Sequence, residues 1–269
     1  MLSDSSNQVL PEQGEAVAVT STIPRVPWNP WWAVVFIVVV YYFSQFLGSI
    51  MISLYPWINH WSAAQANDWI VSSIVAQFIY VLLVGFFMLS AIYVFLKKFK
   101  SNFNLLGLKK PRWRDLGLGF LAVPLYYGLF VVSAAIVGYF VPSLNINQTQ
   151  NIGFNGVHDM AQLLLTFVSL VVLPPLVEEI MVRGFLYSSF RKGMPKIAAI
   201  LVTSLIFAVA HLPEGGVAGP LYIAALDTFI LSLVLIYLRE KTGSLWASIT
   251  LHSIKNGIAF VALFILNVH

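Results

Sequence analysis

From Trp31 onward the chain is a succession of long apolar stretches separated by short polar or basic segments. About 20 apolar residues are what a helix needs to cross a hydrocarbon core roughly 30 Å thick. Lipid offers the backbone no hydrogen-bond partners, so a spanning segment must satisfy its own peptide groups, as a helix does. The pattern predicts an all-α, polytopic transmembrane helical bundle of about seven spans, near residues 31–54, 69–96, 116–140, 160–190, 195–212, 218–238 and 244–267. Residues 1–26 hold Ser, Gln, Glu and Pro without hydrophobic periodicity and read as a disordered tail. Residues 27–99 then supply two N-terminal spans and residues 100–269 the remaining helical core. The first apolar stretch has no small-residue cleavage pattern and is expected to be retained rather than removed as a signal peptide.

Composition narrows the class. Of the 269 residues, 59% are hydrophobic and 10% charged, against roughly 25% charged in a soluble globular protein. Mean hydropathy is +0.83, and a water-soluble domain is excluded. Cysteine is absent, which removes disulfides, thiolate metal sites, thiol nucleophiles and palmitoylation together. The net charge of +4 does not point to nucleic acid, because the bases gather in three loops: Lys97 to Arg114, Arg191 to Lys196, and Arg239 with Lys241. All three loops fall on one side of the predicted bundle, and the positive-inside rule puts that side in the cytoplasm, with the N-terminus. His269 is then outside. Trp28, Trp31 and Trp32 at one end of the first span, and Trp57, Trp61 and Trp69 at the other, sit where aromatic belts are expected. The segment Phe103 to Asp115 mixes apolar and basic residues and is expected to lie on the inner membrane surface or to form a solvated loop.

Five ionisable residues fall inside predicted spans: Glu178, Glu179, Arg183, Asp227 and Lys255. Each would cost roughly 2.5–3.5 kcal/mol at the bilayer centre, so partners or water are required. Counted from the nearest inner-side residue at about 1.5 Å per residue, Glu178 lies about 20 Å deep, His211 about 22 Å, Asp227 about 18 Å, His252 about 14 Å and Asn256 about 20 Å. Four spans thus bring polar groups to one stratum. Glu179 and Arg183 are i, i+4 and share a helix face, as do Phe207 and His211, and His252 and Asn256. Glu178 is turned about 100° from Glu179. Pro174 and Pro175 are expected to break or kink the fourth span and open room for water beside Glu178.

Taken singly, each group has a structural explanation: an interhelical hydrogen bond for a His, core packing for Phe207, a structural pair for Glu179 and Arg183, a counter-ion role for Lys255 beside Asp227 or Glu179. Their common depth is what indicates a site. A carboxylate, two imidazoles and an amide around a wet cavity suit hydrolysis, the carboxylate taking a proton from water while imidazole and amide donate to the developing oxyanion. No GxSxG motif supplies a nucleophile.

At these residues the chain resembles the CPBP family, the CAAX-protease and bacteriocin-processing membrane proteins also called type II CAAX proteases or ABI proteins. Its EExxxR motif stands here as Glu178 to Arg183, its FxxxH as Phe207 to His211 and its HxxxN as His252 to Asn256. The resemblance covers roughly residues 100–260. It implies an intramembrane endopeptidase acting on a membrane-associated peptide or protein, in the plasma membrane of a prokaryote. Carried over, Glu178 would activate water with His211, and His252 with Asn256 would stabilise the oxyanion. Glu179 and Arg183 would brace the site, with Phe207 in support. No metal is expected, since HExxH is absent; zinc held by Glu178, His211 and His252 is the alternative. The competing reading is a non-catalytic immunity, binding or transport-like protein using the same polar cavity. Against it stand the complete motif set and the absence of inverted hydropathy repeats.

Overall fold

A computed structural model describes residues 23–143, 148, 152–213 and 219–267. Among them are eight helices and no strand: α1 (Pro30–Ile58), α2 (Ala63–Ser72), α3 (Ile74–Lys98), α4 (Trp113–Phe140), α5 (Met160–Gly193), α6 (Lys196–Ala210), α7 (Tyr222–Thr242) and α8 (Trp246–Ile265). Six are long and apolar enough to cross a membrane. Val39, Phe86, Val132 and Leu205 are exposed on the outside of the bundle, as befits residues facing lipid. The protein is an integral membrane protein.

The seventh expected span, 195–212, is α6, apolar but only 15 residues long. At about 1.5 Å per residue it reaches about 22 Å, short of the full hydrocarbon thickness. The second expected span starts later than its apolar run suggests. Residues 63–72 form the separate α2, begun by a capping box in which Ser62 Oγ accepts from Gln65 N–H at 3.3 Å and Gln65 Oε1 accepts from Ser62 N–H at 2.9 Å. Ser73 then caps α3 by accepting from Ala76 N–H at 3.2 Å. The prolines of α5 do not break it. The helix runs on from Met160 to Gly193, with widened, π-type turns at Val168–Val172 and Glu179–Leu186 on either side of them.

Helix α5 is central, touching α1, α3, α6, α7 and α8. Its Phe185 stacks on Trp28 with ring centroids 5.0 Å apart and meets Phe36 and Phe95 at 5.2 and 5.1 Å. Trp28 Nε1–H donates to Ser189 Oγ at 2.7 Å, which satisfies a buried indole. The N-terminal pair of spans therefore shares a hydrophobic core with α5 and α8 instead of standing apart. Within the tail expected over residues 1–26, Ile23 and Val26 are buried against the bundle, while residues 1–22 lie outside the described residues, as does His269.

The segment 103–115 is neither a plain surface strip nor a solvated loop. Leu106 is fully buried, and its carbonyl accepts from Arg239 Nη2–H at 2.9 Å. Arg239, expected in a basic loop, is itself fully buried in the last turn of α7. Gly107 has φ +93° and lies against the Arg239 guanidinium, and its carbonyl takes Leu245 N–H at 2.9 Å. A side chain there would meet both the wrong backbone region and the guanidinium. At the same end, Glu240 accepts from Tyr187 OH at 2.6 Å and Arg191 Nε at 2.9 Å and lies 3.2 Å from Lys196 Nζ, tying α5, α6 and α7 together.

Helices α4 and α8 approach closely at Gly119, where an added Cβ would lie 2.5 Å from Ala247 O and 2.7 Å from Thr250 Cβ. Gly117, on the same helix, has open space around it. Overpacking costs about 1–3 kcal/mol, so Gly119→Ala should lower the thermal midpoint in detergent by roughly 2–10 °C, while Gly117→Ala leaves it unchanged or raises it slightly. Equal midpoints for the two variants would contradict the close approach.

Candidate active site

Glu178, Glu179 and Arg183 come from α5, Phe207 from α6 and His252 from α8, with His211 immediately after the last residue of α6. The anchor is Glu179, which has no exposed surface. Its Oε1 accepts from Arg183 Nη1 at 3.0 Å along its own helix and faces His252 Nδ1 at 2.9 Å across to α8. A carboxylate beside an imidazole nitrogen makes that nitrogen the protonated one, so Nδ1–H donates to Glu179 and Nε2 is turned the other way. Nε2 lies 3.9 Å from Glu178 Oε2.

Arg183 is also fully buried. Beyond its bond to Glu179, its guanidinium lies over the Phe207 ring, Cζ 4.2 Å from the centroid, a cation–π contact that compensates part of its lost hydration. Phe207 also meets His211 edge-on with centroids 4.5 Å apart and faces His252 at 6.3 Å. It therefore links the buried ion pair to both imidazoles. His211 Nδ1 lies 2.7 Å from Phe207 O; a carbonyl only accepts, so Nδ1 carries the proton and Nε2 is the lone-pair nitrogen of the neutral ring.

Glu178, one residue from Glu179, faces another way, as the helical rotation predicts. Its side chain is one-third exposed and lines a cavity of about 360 Å³ together with His211, His252, Asn256, Asp227 and Lys255. Asn256 donates from Nδ2 to Leu170 O in α5 at 3.0 Å. Lys255 pairs with Asp227 at 3.1 Å. Asp227 also accepts from Tyr126 OH of α4.

The structure thus brings all seven sequence-predicted residues to one region: Glu178, His211, His252 and Asn256 on the cavity, and Glu179, Arg183 and Phe207 behind it. Two features were not anticipated. Tyr126 joins the cavity residue Asp227 by donating its hydroxyl to it, although its position 13 residues beyond Trp113 in the sequence gives it about the same 20 Å depth as the rest. The second is that Glu179 holds His252, which spacing within one helix could not reveal. Catalytic zinc takes three protein ligands and an open position. Among the described residues no group of three His, Asp or Glu side chains is gathered closely enough to hold an ion.

Fold and site together define a helical membrane protein with a glutamate–histidine site inside the bundle. Residues 160–258 match the family model of type II CAAX prenyl endopeptidases, Rce1-like. All three motifs lie in that stretch, which is shorter at its N-terminal side than the resemblance over 100–260. The family is one of CAAX intramembrane proteases and supports a protease function for this chain. No curated protein and no solved structure matches the chain.

Removing Arg183 leaves Glu179 and His252 around an uncompensated buried charge, a loss of about 3–5 kcal/mol. Arg183→Ala should therefore lower the thermal midpoint sharply, and Arg183→Lys should restore only part, because an ammonium has no planar face to lay on Phe207. An Arg183→Ala protein as heat-stable as wild type in the same detergent would show that the pair is not holding the site.

Proposed function

We propose that the protein is an intramembrane endopeptidase that hydrolyses a peptide bond of a membrane-associated peptide or protein with activated water. The observation that carries this reading is the orientation of His252: Glu179 holds its Nδ1–H while Nε2 faces Glu178 at the edge of the cavity. Three groups with different protonic character thereby meet in one space. Glu178, partly open to the cavity, takes the proton of the attacking water, and the lone-pair Nε2 of His211 helps to hold that water. His252, as an imidazolium whose Nδ1–H is held by Glu179 and whose second proton is on Nε2, and the Asn256 amide donate to the oxyanion of the tetrahedral intermediate. Proton return to the leaving amine comes from Glu178.

Glu179 and Arg183 touch neither water nor substrate in this scheme. They hold the Nδ1–H of His252 and so fix its direction, as a carboxylate does for the histidine of a hydrolytic triad. No metal takes part. The N-terminus lies in the cytoplasm, following the basic ends of α3, α5 and α7, and the membrane is the plasma membrane of a prokaryote.

The reading is tested with purified protein in liposomes and by comparing membrane peptides from cells that make wild-type or Glu178→Gln protein. Glu178→Gln and His252→Ala should each abolish cleavage, by a factor of about 10² or more, while remaining folded and inserted. Products that accumulate equally with wild type and Glu178→Gln would instead support a binding, immunity or transport-like role for the cavity.

Activity should persist in EDTA and phenanthroline, and elemental analysis should find no stoichiometric zinc. Chelator inhibition reversed specifically by zinc would move Glu178, His211 and His252 from proton and oxyanion chemistry to metal ligation.

A further inference from the structure

The bond between Asn256 and Leu170 has an unusual origin. Within a helix, the carbonyl of Leu170 is open to the N–H three, four or five residues ahead, in the 3₁₀, α or π register. Those residues are Leu173, Pro174 and Pro175. The Leu173 N–H is bonded to Val168 O instead, in the π register. Pro174 and Pro175 have no N–H to give. Every donor its own helix could supply is therefore engaged or missing.

Asn256 supplies the missing donor from α8, its Nδ2 standing 3.0 Å from Leu170 O. A primary amide is planar and carries two N–H groups and one carbonyl oxygen. Fixing one N–H on Leu170 fixes the plane, and with it the direction of the second N–H. Leu170, Pro174 and Asn256 all line the cavity that contains Glu178 and His252.

We propose that Pro174 and Pro175 are positioning residues: by removing the main-chain donors to Leu170 O, they create a dedicated acceptor that orients the Asn256 amide in the active cavity. Its catalytic consequence rests on the proteolytic reading above, but its structural core does not. The prolines commit one carbonyl of α5 to a side chain of α8, and so align the HxxxN face with the Glu178 face.

Thermal unfolding of four full-length chains in one detergent tests this independently of activity: wild type, Asn256→Ala, Pro174→Ala/Pro175→Ala, and the triple variant. In the wild-type background Asn256→Ala orphans a part-buried carbonyl and should lower the midpoint by roughly 3–8 °C. In the proline-free background a main-chain N–H at position 174 takes that carbonyl, and the same substitution should shift the midpoint by less than about 2 °C, a non-additivity expected only of coupled groups. Equal losses in both backgrounds overturn the proposal whether or not the chain is a protease. Asn256→Ala that folds only in the proline-free background is the same rescue in stronger form; failure to fold in both overturns it.

The kinetic arm compares Pro174→Ala/Pro175→Ala with wild type. Its kcat should fall about tenfold or more at nearly unchanged KM, the mark of a displaced group and not of lost binding. It should fall no further when Asn256→Ala is added. Wild-type kcat in the proline-free chain overturns the positioning role. A wild-type chain that never cleaves membrane peptides defeats the proteolytic reading while leaving the thermal coupling to be judged on its own.

Discussion

A carboxylate with no exposed surface, Glu179, carries an arginine and a histidine on the same oxygen inside a membrane-embedded bundle. Burying an ion costs several kcal/mol even after relaxation, and the cost is met only by well-placed partners. The constraint spreads outward from there. Arg183 has to lie one turn along α5, Phe207 has to bring α6 beneath the guanidinium, and His252 has to bring α8 to the opposite side. Three helices are thus locked around one charge cluster, and the imidazole that faces the cavity inherits its direction from groups that do not face it. The neighbouring acid, Glu178, is separated from this cluster by one step of helical rotation, enough to give two adjacent carboxylates different surroundings.

Much of this was legible in the sequence because membrane burial makes charge rare. Depth arithmetic placed Glu178, His211, Asp227, His252 and Asn256 in one layer without reference to any relative, and helical spacing paired Glu179 with Arg183. The same arithmetic would have found Tyr126 had hydroxyls been counted with the charges. Arg239 was illegible for a different reason. It sits among basic loop residues in the sequence, and only the return of Leu106 and Gly107 to its guanidinium, across more than a hundred residues of chain, takes it into the interior. Hydropathy also ran α2 into α3, because Trp69, Ile70 and Val71 extend the apolar run backwards. The spacing of Ser62 and Gln65 carried the signal for a separate helix start. The fate of the paired prolines depended on what α8 could offer α5, which no local rule contains.

The two widened turns of α5 act on the molecule as phase slips. Each displaces the angular setting of everything beyond it, so the stretch Met160–Phe167, the prolines with Glu178, and the stretch after Leu186 point along directions that a single uninterrupted period would not give. One rod can therefore address neighbours on several sides: α3 near its start, α8 at its middle, α1 and α6 towards its end. The same slips decouple those surfaces. A change that re-times the first part of the rod is absorbed at Val168–Val172 before it reaches the acid pair, which leaves the half before that turn free to diverge from the half that carries Glu178 and Glu179.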